Sequence, residues 1–370
     1  SDLVLIIFAS IVSLSGIISV VYNATTDLSY ASYVVSFFVW MGGAYFVVSS
    51  IRFLHGKVTP LIVINYLAAI CVAQCVIALL ISRNPWVKDF VDSFLGGDGF
   101  MGMLENRMYG IGWALDVAGL KGSCVLVAIS FVVMNGLCQP KLQTTIYWIA
   151  YLVIAVVGNM IGRTTSVGVV VSLIYILVHC IFYGYREFLR SRILPLLLMM
   201  IALLPLLIYL YNNSPETRED LRFGFEGFFS LAETGRWETN SNNRLSDMFV
   251  LPDNPKTWII GDGYFDNPYS DPNFNGDNPT EFYKGTDVGY LRFIYYFGVI
   301  GLISFVVFFL VAFWECASRH RKYAILFLMI LTINFIVWVK VSSDIFLIFS
   351  LFLCVPSESD EGTEQNVIEK

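Results

Sequence analysis

Charged residues are scarce in this sequence: they make up 14% of its 370 positions, against 56% for hydrophobic residues. Soluble domains usually carry about 25% charged residues. This scarcity excludes a soluble globular protein, since the charges collect between apolar runs of the roughly 20 residues that cross a bilayer. The alternating segments of about 10 residues that build a transmembrane β-barrel are also missing. We therefore predict an all-α polytopic integral membrane protein.

Basic residues, cysteine and histidine are also limited, and each limit excludes a class of function. The net charge is −6 and no basic face is apparent, so a nucleic-acid partner is not expected. All seven cysteines lie in or beside apolar segments, as small buried hydrophobic residues do, rather than in a disulfide framework or a metal cluster. We predict no metal and no cofactor.

Ten apolar runs are candidate membrane spans. A stretch at 83–121 has room for a further re-entrant or surface helix, so we expect about 10–12 transmembrane helices. The runs cover residues 3–22, 30–50, 58–82, 122–138, 144–162, 167–184, 193–211, 288–313, 324–340 and 345–355.

Basic residues in the short loops set the predicted orientation. They fall on one side of the membrane, which is therefore the cytoplasmic side. Both termini then face the cytoplasm, and a large loop at 212–287 faces the periplasm together with the shorter loop at 83–121. The predicted order along the chain is membrane helices at 1–211, the periplasmic loop at 212–287, C-terminal helices at 288–355 and an acidic, disordered tail at 356–370.

The large loop is polar and acidic, yet it contains arginines. Residues 212–286 carry thirteen acidic and six basic side chains. Arginine binds phosphate bidentately and keeps its charge in apolar surroundings, so the arginines predict an anion site, with structural salt bridges as the alternative. Arg107 and Arg163 lie in the other outward segments, where snorkelling to the interface is the alternative for Arg163. The four arginines of the loop are Arg218, Arg222, Arg236 and Arg244.

Four short motifs occur in order along this outward side. Together they resemble the bacterial O-antigen polymerases of the Wzy type, which share a superfamily with the O-antigen ligases. The motifs are Arg107-Met-Tyr-Gly, Gly162-Arg-Thr-Thr-Ser, Asn243-Arg244 followed by Gly261-Asp-Gly263, and Asp287-Val-Gly-Tyr-Leu-Arg at the return to the membrane.

The resemblance implies a GT-C-like glycosyltransferase of the bacterial inner membrane. It would polymerise undecaprenyl-pyrophosphate-linked repeat units into O-antigen or a related polysaccharide, without metal, and its partners would be that lipid-linked glycan as donor and acceptor, membrane lipid and a chain-length regulator protein. Carried onto this sequence, the motifs imply Arg163, Arg244 and Asp287 as catalytic residues. They imply substrate binding by Arg107, Arg236, Gly261, Gly263, Tyr290 and Arg292.

The chemistry asks for cations that neutralise the pyrophosphate leaving group and for a base that deprotonates the acceptor hydroxyl. Candidate bases are Asp287, Glu233 and Asp262. Each has a structural alternative: Asp287 as a helix N-cap, Glu233 as the ion-pair partner of Arg236, and the Gly-Asp-Gly sequence as an ordinary turn.

Two other functions stay open at this stage. An O-antigen ligase that transfers glycan to lipid A-core is disfavoured because its expected histidine is missing: the three histidines lie on the predicted cytoplasmic side. A polysaccharide flippase or other transporter is disfavoured because few ionisable residues lie in the middle of the spans.

Overall fold

The computed structural model describes residues 2–95, 107–138, 141–183, 192–267 and 282–357. Within these ranges the protein is helical, and extended pairing is limited to two isolated β-bridges. The α-helices are α1 Asp2–Asn23, α2 Tyr33–His55, α3 Pro60–Arg83, α4 Pro85–Asp92, α5 Leu115–Met134, α6 Lys141–Ile161, α7 Thr165–Tyr183, α8 Leu194–Asn213, α9 Pro215–Gly224, α10 Glu226–Thr234, α11 Asn240–Asp247, α12 Pro255–Ile260, α13 Gly289–Arg319, α14 Ala324–Val337 and α15 Phe346–Leu353. Short 3-10 turns cover Tyr283–Gly285 and Arg321–Tyr323.

Eight of these helices are long and apolar enough to cross a membrane, namely α1, α2, α3, α5, α6, α7, α8 and α13. The protein is therefore a multi-pass helical membrane protein, as its composition predicts. The last two of the ten predicted spans form only α14, of 14 residues, and α15, of 8 residues. At a rise of about 1.5 Å per residue, neither reaches across an apolar core about 30 Å thick.

The segments at 83–121 and 212–287 contain several short helices. Helix α4 lies within the stretch 83–121. Ser214 ends α8 and caps α9, whose first residue is Pro215, so the helix of the seventh predicted span is interrupted there. Helix α11, Asn240–Asp247, lies further along the large loop.

The chain divides into two compact units, and one of them combines segments from the two ends of the chain. Unit 1 comprises Ser1–Val63 and Asn240–Lys370, and unit 2 comprises Ile64–Thr239. The loop at 212–287 is thus shared between the units. This division adds a grouping that the predicted linear order does not contain.

Helix α13 is the centre of unit 1, where it packs against α1, α12, α14 and α15. Aromatic rings fill this core. The Tyr30 ring, in the turn between α1 and α2, lies 5.4 Å from the rings of both Phe293 and Phe305. Trp338 stacks on Phe305 at 5.2 Å and is fully buried. Such stacked and edge-on contacts each add about 0.5–1.5 kcal/mol beyond burial.

Helix α5 is the centre of unit 2 and lies between α6 and α7. Small residues bring the helices together: a Cβ added to Gly168 would lie 2.3 Å from the Cα of Ser123. The Ser123 hydroxyl donates to the Thr164 carbonyl at 2.8 Å and accepts from the Gly168 amide at 3.0 Å. Close approach through small residues is how membrane helices gain packing energy. Five of the seven cysteines are buried, as predicted for small hydrophobic residues.

Candidate functional site

Arg163 lies on a tight turn between α6 and α7. The turn packs on the beginning of α5: the Thr164 hydroxyl donates to the Asp116 carbonyl at 3.0 Å, and a Cβ at Gly162 would lie 2.3 Å from the Leu115 carbonyl oxygen. Glycine is therefore required before the arginine, and threonine after it ties the turn to its neighbour. The Gly-Arg-Thr-Thr sequence holds Arg163 on a rigid support.

The Arg163 side chain meets α9 and α10 of the same unit. Its guanidinium donates a hydrogen bond to the Glu226 carboxylate and lies 4.5 Å from the centre of the Phe223 ring. Arg163 and Glu226 side chains are 17% and 25% exposed. Arg163 is therefore paired and reachable from solvent, rather than snorkelling alone.

Arg107 lies over the same Phe223 ring, at 5.4 Å. The two guanidinium carbons are consequently no more than about 10 Å apart, although the residues come from different outward segments. Within the described part of the chain, Glu226 is the carboxylate in ion-pair contact with this pair, and Arg107 has no such contact. Two guanidinium groups over one ring provide hydrogen-bond donors of the kind that bind phosphate. We call Arg107, Arg163, Phe223 and Glu226 the arginine–phenylalanine cluster.

Two of the four loop arginines have structural roles. Arg218 donates to the carbonyls of Tyr211 and Asn212 at 3.0 and 3.1 Å and so caps the end of α8. Arg222 pairs with Glu233 at 2.6 Å and lies over the Phe229 ring at 5.2 Å. The structural alternative that pairs Glu233 with Arg236 is therefore wrong. Glu233 pairs with Arg222, which lies in the last turn of α9.

Arg236 and Arg244 are exposed in the structure. Neither has an ion pair within the described ranges. Arg236 belongs to unit 2 and Arg244, on α11, to unit 1. Both remain available for anion binding.

Gly261 and Gly263 form a turn that packs into unit 1. Both have positive φ, +77° and +75°. A Cβ at Gly261 would lie 2.4 Å from the Tyr296 carbonyl oxygen, and one at Gly263 would lie 2.7 Å from the Thr25 hydroxyl. Glycine is required here because the backbone approaches other parts of the protein. The two glycines therefore allow close packing within unit 1, and their role in substrate binding stays a prediction.

The same turn donates hydrogen bonds to backbone carbonyls at a break in α13. The helix loses its regular backbone at Phe297 and Gly298, where Gly298 has φ of +69°. The amides of Asp262 and Gly263 donate to the carbonyls of Tyr295 and Tyr296 at 2.6 and 3.1 Å. Carbonyls freed by the break are thus paired within the protein, which an apolar membrane environment requires.

The candidate base Asp262 lies within a hydrogen-bonded network. One carboxylate oxygen accepts from Lys256 Nζ and from the Thr257 hydroxyl, both at 2.6 Å, and the other accepts from the Tyr283 hydroxyl at 3.3 Å. Burial, together with the Asp262 charge, raises the pKa of Tyr283. Lys256 was not singled out from the sequence, since a lone lysine after proline carries no motif.

Arg292 is buried near the start of α13. Its guanidinium lies 3.8 Å from the Phe265 ring and 4.8 Å from the Phe282 ring. It pairs with Asp266 and, at 3.4 Å, with Asp287. The Arg292 side chain is 8% exposed and the Asp287 side chain is 25% exposed. The buried arginine therefore fixes the orientation of the more exposed carboxylate.

Asp287 is not the N-cap of α13. Val288 occupies that position, and its amide donates to the Thr286 hydroxyl at 3.3 Å. Tyr290 packs away from Asp287: its hydroxyl donates to the Phe335 carbonyl at 2.9 Å and its ring lies 5.7 Å from Trp338.

The structure therefore brings Arg107 together with Arg163 in unit 2, and Asp287 together with Arg292 in unit 1. The sequence did not single out Phe223 and Glu226 as part of the site. The phenylalanines at 223–229 are spaced as an apolar face in the sequence. The contact of Phe223 with two arginines depends on three distant segments meeting, which this spacing does not predict.

Comparison with protein-family models, curated proteins and solved structures finds no match. In the described ranges, no three His, Cys, Asp or Glu side chains converge as a metal site requires. Metal independence stays a prediction.

Proposed function

We propose that this protein is a membrane glycosyltransferase that polymerises undecaprenyl-pyrophosphate-linked repeat units. The observation that carries the proposal is the arginine–phenylalanine cluster, in which Arg107 and Arg163 share the Phe223 ring and Glu226 pairs with Arg163. A multi-pass helical protein with a partly exposed cationic cluster suits a lipid-anchored anionic substrate. The motif resemblance to O-antigen polymerases supports the same reading.

In the proposed reaction, the acceptor sugar hydroxyl attacks the anomeric carbon of the donor glycan. The bond from that carbon to the pyrophosphate oxygen breaks, and undecaprenyl pyrophosphate leaves with the bonding electrons. The arginines stabilise this developing charge, which is the largest electrostatic change in the reaction. Phe223 holds the guanidinium groups in place, and Glu226 orients Arg163 between turnovers.

Asp287 is the base proposed for the acceptor hydroxyl. Its hydrogen bond with Arg292 fixes the carboxylate, and its side chain is 25% exposed, so a substrate hydroxyl can approach it. Glu233 and Asp262 are weaker candidates because both oxygens of each carboxylate already accept hydrogen bonds, from Arg222 in Glu233 and from Lys256, Thr257 and Tyr283 in Asp262. Arg244 and Arg236 are proposed as further contacts to the substrate anion.

The proposal places the protein in the bacterial inner membrane, with both termini in the cytoplasm and the loop at 212–287 in the periplasm. A chain-length regulator protein is the proposed protein partner. A ligase would use the same donor and a different acceptor, and a flippase would move the donor without bond cleavage, so both are outcomes of the test.

The first test compares Arg163→Ala with Arg222→Ala in purified protein. Arg222 is the matched control because it also pairs with a glutamate and lies over a phenylalanine ring, but on the surface. Binding of undecaprenyl pyrophosphate, measured against undecaprenol in detergent with EDTA, is expected to fall about 10- to 100-fold in Arg163→Ala only, since hydrogen bonds to charged groups contribute about 1.5–3 kcal/mol.

The second step supplies lipid-linked oligosaccharide extracted from the source cells. Wild type is expected to produce a polymer ladder that Arg163→Ala does not produce. Equal pyrophosphate binding by the two variants, or transport of the lipid with no ladder, would overturn the proposal. A single-step transfer to lipid A-core would replace the polymerase with a ligase.

A further inference from the structure

Helix α4 and the turn that follows it expose a row of three aromatic rings on one side. Trp86, Phe90 and Phe94 are 74%, 56% and 75% exposed. The rings touch in sequence, Trp86 with Phe90 at 6.0 Å and Phe90 with Phe94 at 5.1 Å. Their spacing of four residues places them along one edge of a helix. Single exposed apolar residues are ordinary, but a continuous row of large aromatic rings marks an interaction surface.

The rest of α4 divides into two further faces. Val87 and Val91 pack against Ile81 and Tyr109, which fixes the helix to unit 2. Lys88 and Asp89 are exposed on the opposite, polar face. The aromatic edge therefore lies between a face held by protein and a polar face, as in a helix that rests in the plane of a membrane interface.

The position of α4 in the chain identifies the surface that meets this edge. The helix begins immediately after α3 ends, with Asn84 as its N-cap. Exposed apolar side chains on α3, namely Ile70, Val76 and Leu80, lead along that membrane helix toward α4. The aromatic edge thus lies directly after the end of a helix long and apolar enough to span the membrane. Tryptophan is enriched at the membrane–water interface because its ring is both apolar and polar.

We infer that α4 is an interfacial anchor whose Trp86–Phe90–Phe94 edge inserts into the outer boundary of the lipid bilayer. Such helices bury their apolar face about 5–10 Å into the headgroup and acyl boundary. The Tyr109 hydroxyl donates to Asp92 at the end of α4, so the anchor also holds the segment that carries Arg107. The inference concerns lipid contact and does not depend on glycosyl transfer.

The test uses full-length protein labelled with 5-fluorotryptophan and placed in phospholipid nanodiscs. The Trp86 fluorine resonance is assigned by its loss in Trp86→Phe. A spin label near the lipid headgroup is expected to broaden this resonance beyond detection, and an aqueous gadolinium chelate is expected to leave it unchanged.

The matched control moves the tryptophan to the polar face of the same helix, as Trp86→Phe combined with Lys88→Trp. Its resonance is expected to respond to the chelate and not to the lipid label. Broadening of Trp86 by the chelate would show that the edge faces water, where a sugar or a soluble protein meets it, and would overturn the inference. A Trp86 resonance untouched by both agents would show a protein covering and would overturn it equally.

Discussion

Arg163 donates a hydrogen bond to the carboxylate of Glu226. The two side chains join the turn before α7 to the first residue of α10. Removing the carboxylate in Glu226→Gln frees the guanidinium, so undecaprenyl pyrophosphate is expected to bind more tightly than to wild type. The stability cost is expected to be about 1 kcal/mol, since the pair is partly solvent-exposed. Binding titration in detergent checks the first effect, and weaker binding would show that Glu226 holds Arg163 in its productive position.

Phe223 is expected to support both arginines of the cluster. Phe223→Leu keeps an apolar side chain but removes the ring under Arg107 and Arg163. Cation–π contacts contribute about 0.5–2 kcal/mol each, so pyrophosphate binding is expected to weaken about 3- to 30-fold. Phe228→Leu is the control because its ring contacts Phe225 and Trp237 and, among the described residues, no arginine. Equal effects of the two variants would assign Phe223 to packing alone.

Asp287 and Asp266 share Arg292 and so provide a matched pair for the base assignment. If Asp287 takes the proton, Asp287→Asn is expected to lower the polymerisation rate about 10²- to 10⁴-fold. Asp266, 57% exposed, contacts the same arginine, and Asp266→Asn is expected to retain most of the rate. Pyrophosphate binding is expected to stay unchanged in both. Similar losses from the two variants would mean that the pair only positions Arg292.

Gly261 is expected to be indispensable for folding, because its Cβ position is occupied by the backbone of α13. Gly261→Ala adds left-handed strain of about 1–2 kcal/mol and overpacking of about 1–3 kcal/mol. Gly235 has a similar φ of +72° with open space around it, so Gly235→Ala is expected to cost the strain alone. The difference in Tm between the two variants, measured by thermal unfolding in detergent, separates overpacking from backbone strain. Equal shifts in Tm would contradict the close approach of Gly261 to Tyr296.

Asp344 is expected to make stability depend on pH. Burial raises the pKa of its carboxyl to about 6, and hydrogen bonds from the Phe346 amide and the Tyr33 hydroxyl offset this only in part. A raised pKa means that the folded state holds the proton more tightly. The stabilisation is therefore fully present below about pH 4 and is lost as the pH rises through about 6, with a range of up to about 3 kcal/mol.

Asp344→Asn is expected to remove that slope. Unfolding is followed from pH 4 to pH 7 in detergent, with the exposed Asp89→Asn as the control variant. A wild-type profile that Asp344→Asn leaves unchanged would assign the pH dependence to another group.

Much of the membrane architecture follows from local sequence. Apolar runs of sufficient length predict α1, α2, α3 and the other long helices, because burial of apolar side chains and internal backbone pairing in lipid leave few alternatives. Prolines and capping residues also mark real boundaries, as at Ser214 and Asn254. The last two predicted spans did not form long helices. Hydropathy averages over the region and does not detect the irregular backbone between α14 and α15.

Side-chain partners were less predictable than helices. Glu233 lies near both Arg222 and Arg236 in sequence, and the structure selects Arg222, one helix away. Asp287 precedes α13 as an N-cap would, yet it contacts Arg292 instead. Spacing along the chain permits either partner for Glu233 and either role for Asp287. The packing of distant segments decides between these alternatives.

The sequence by itself determined that this is a multi-pass helical protein with arginines in the polar segments between its apolar runs, because hydrophobicity and charge act residue by residue. Only the tertiary structure decided which arginines meet. Arg107 and Arg163 share Phe223 because three segments of unit 2 converge there, whereas Arg218 and Arg222 take structural partners. The Gly-Asp-Gly turn likewise acquires its role only through the break in α13. Contacts between distant segments depend on how the helices pack, and the identity of each residue does not specify that packing.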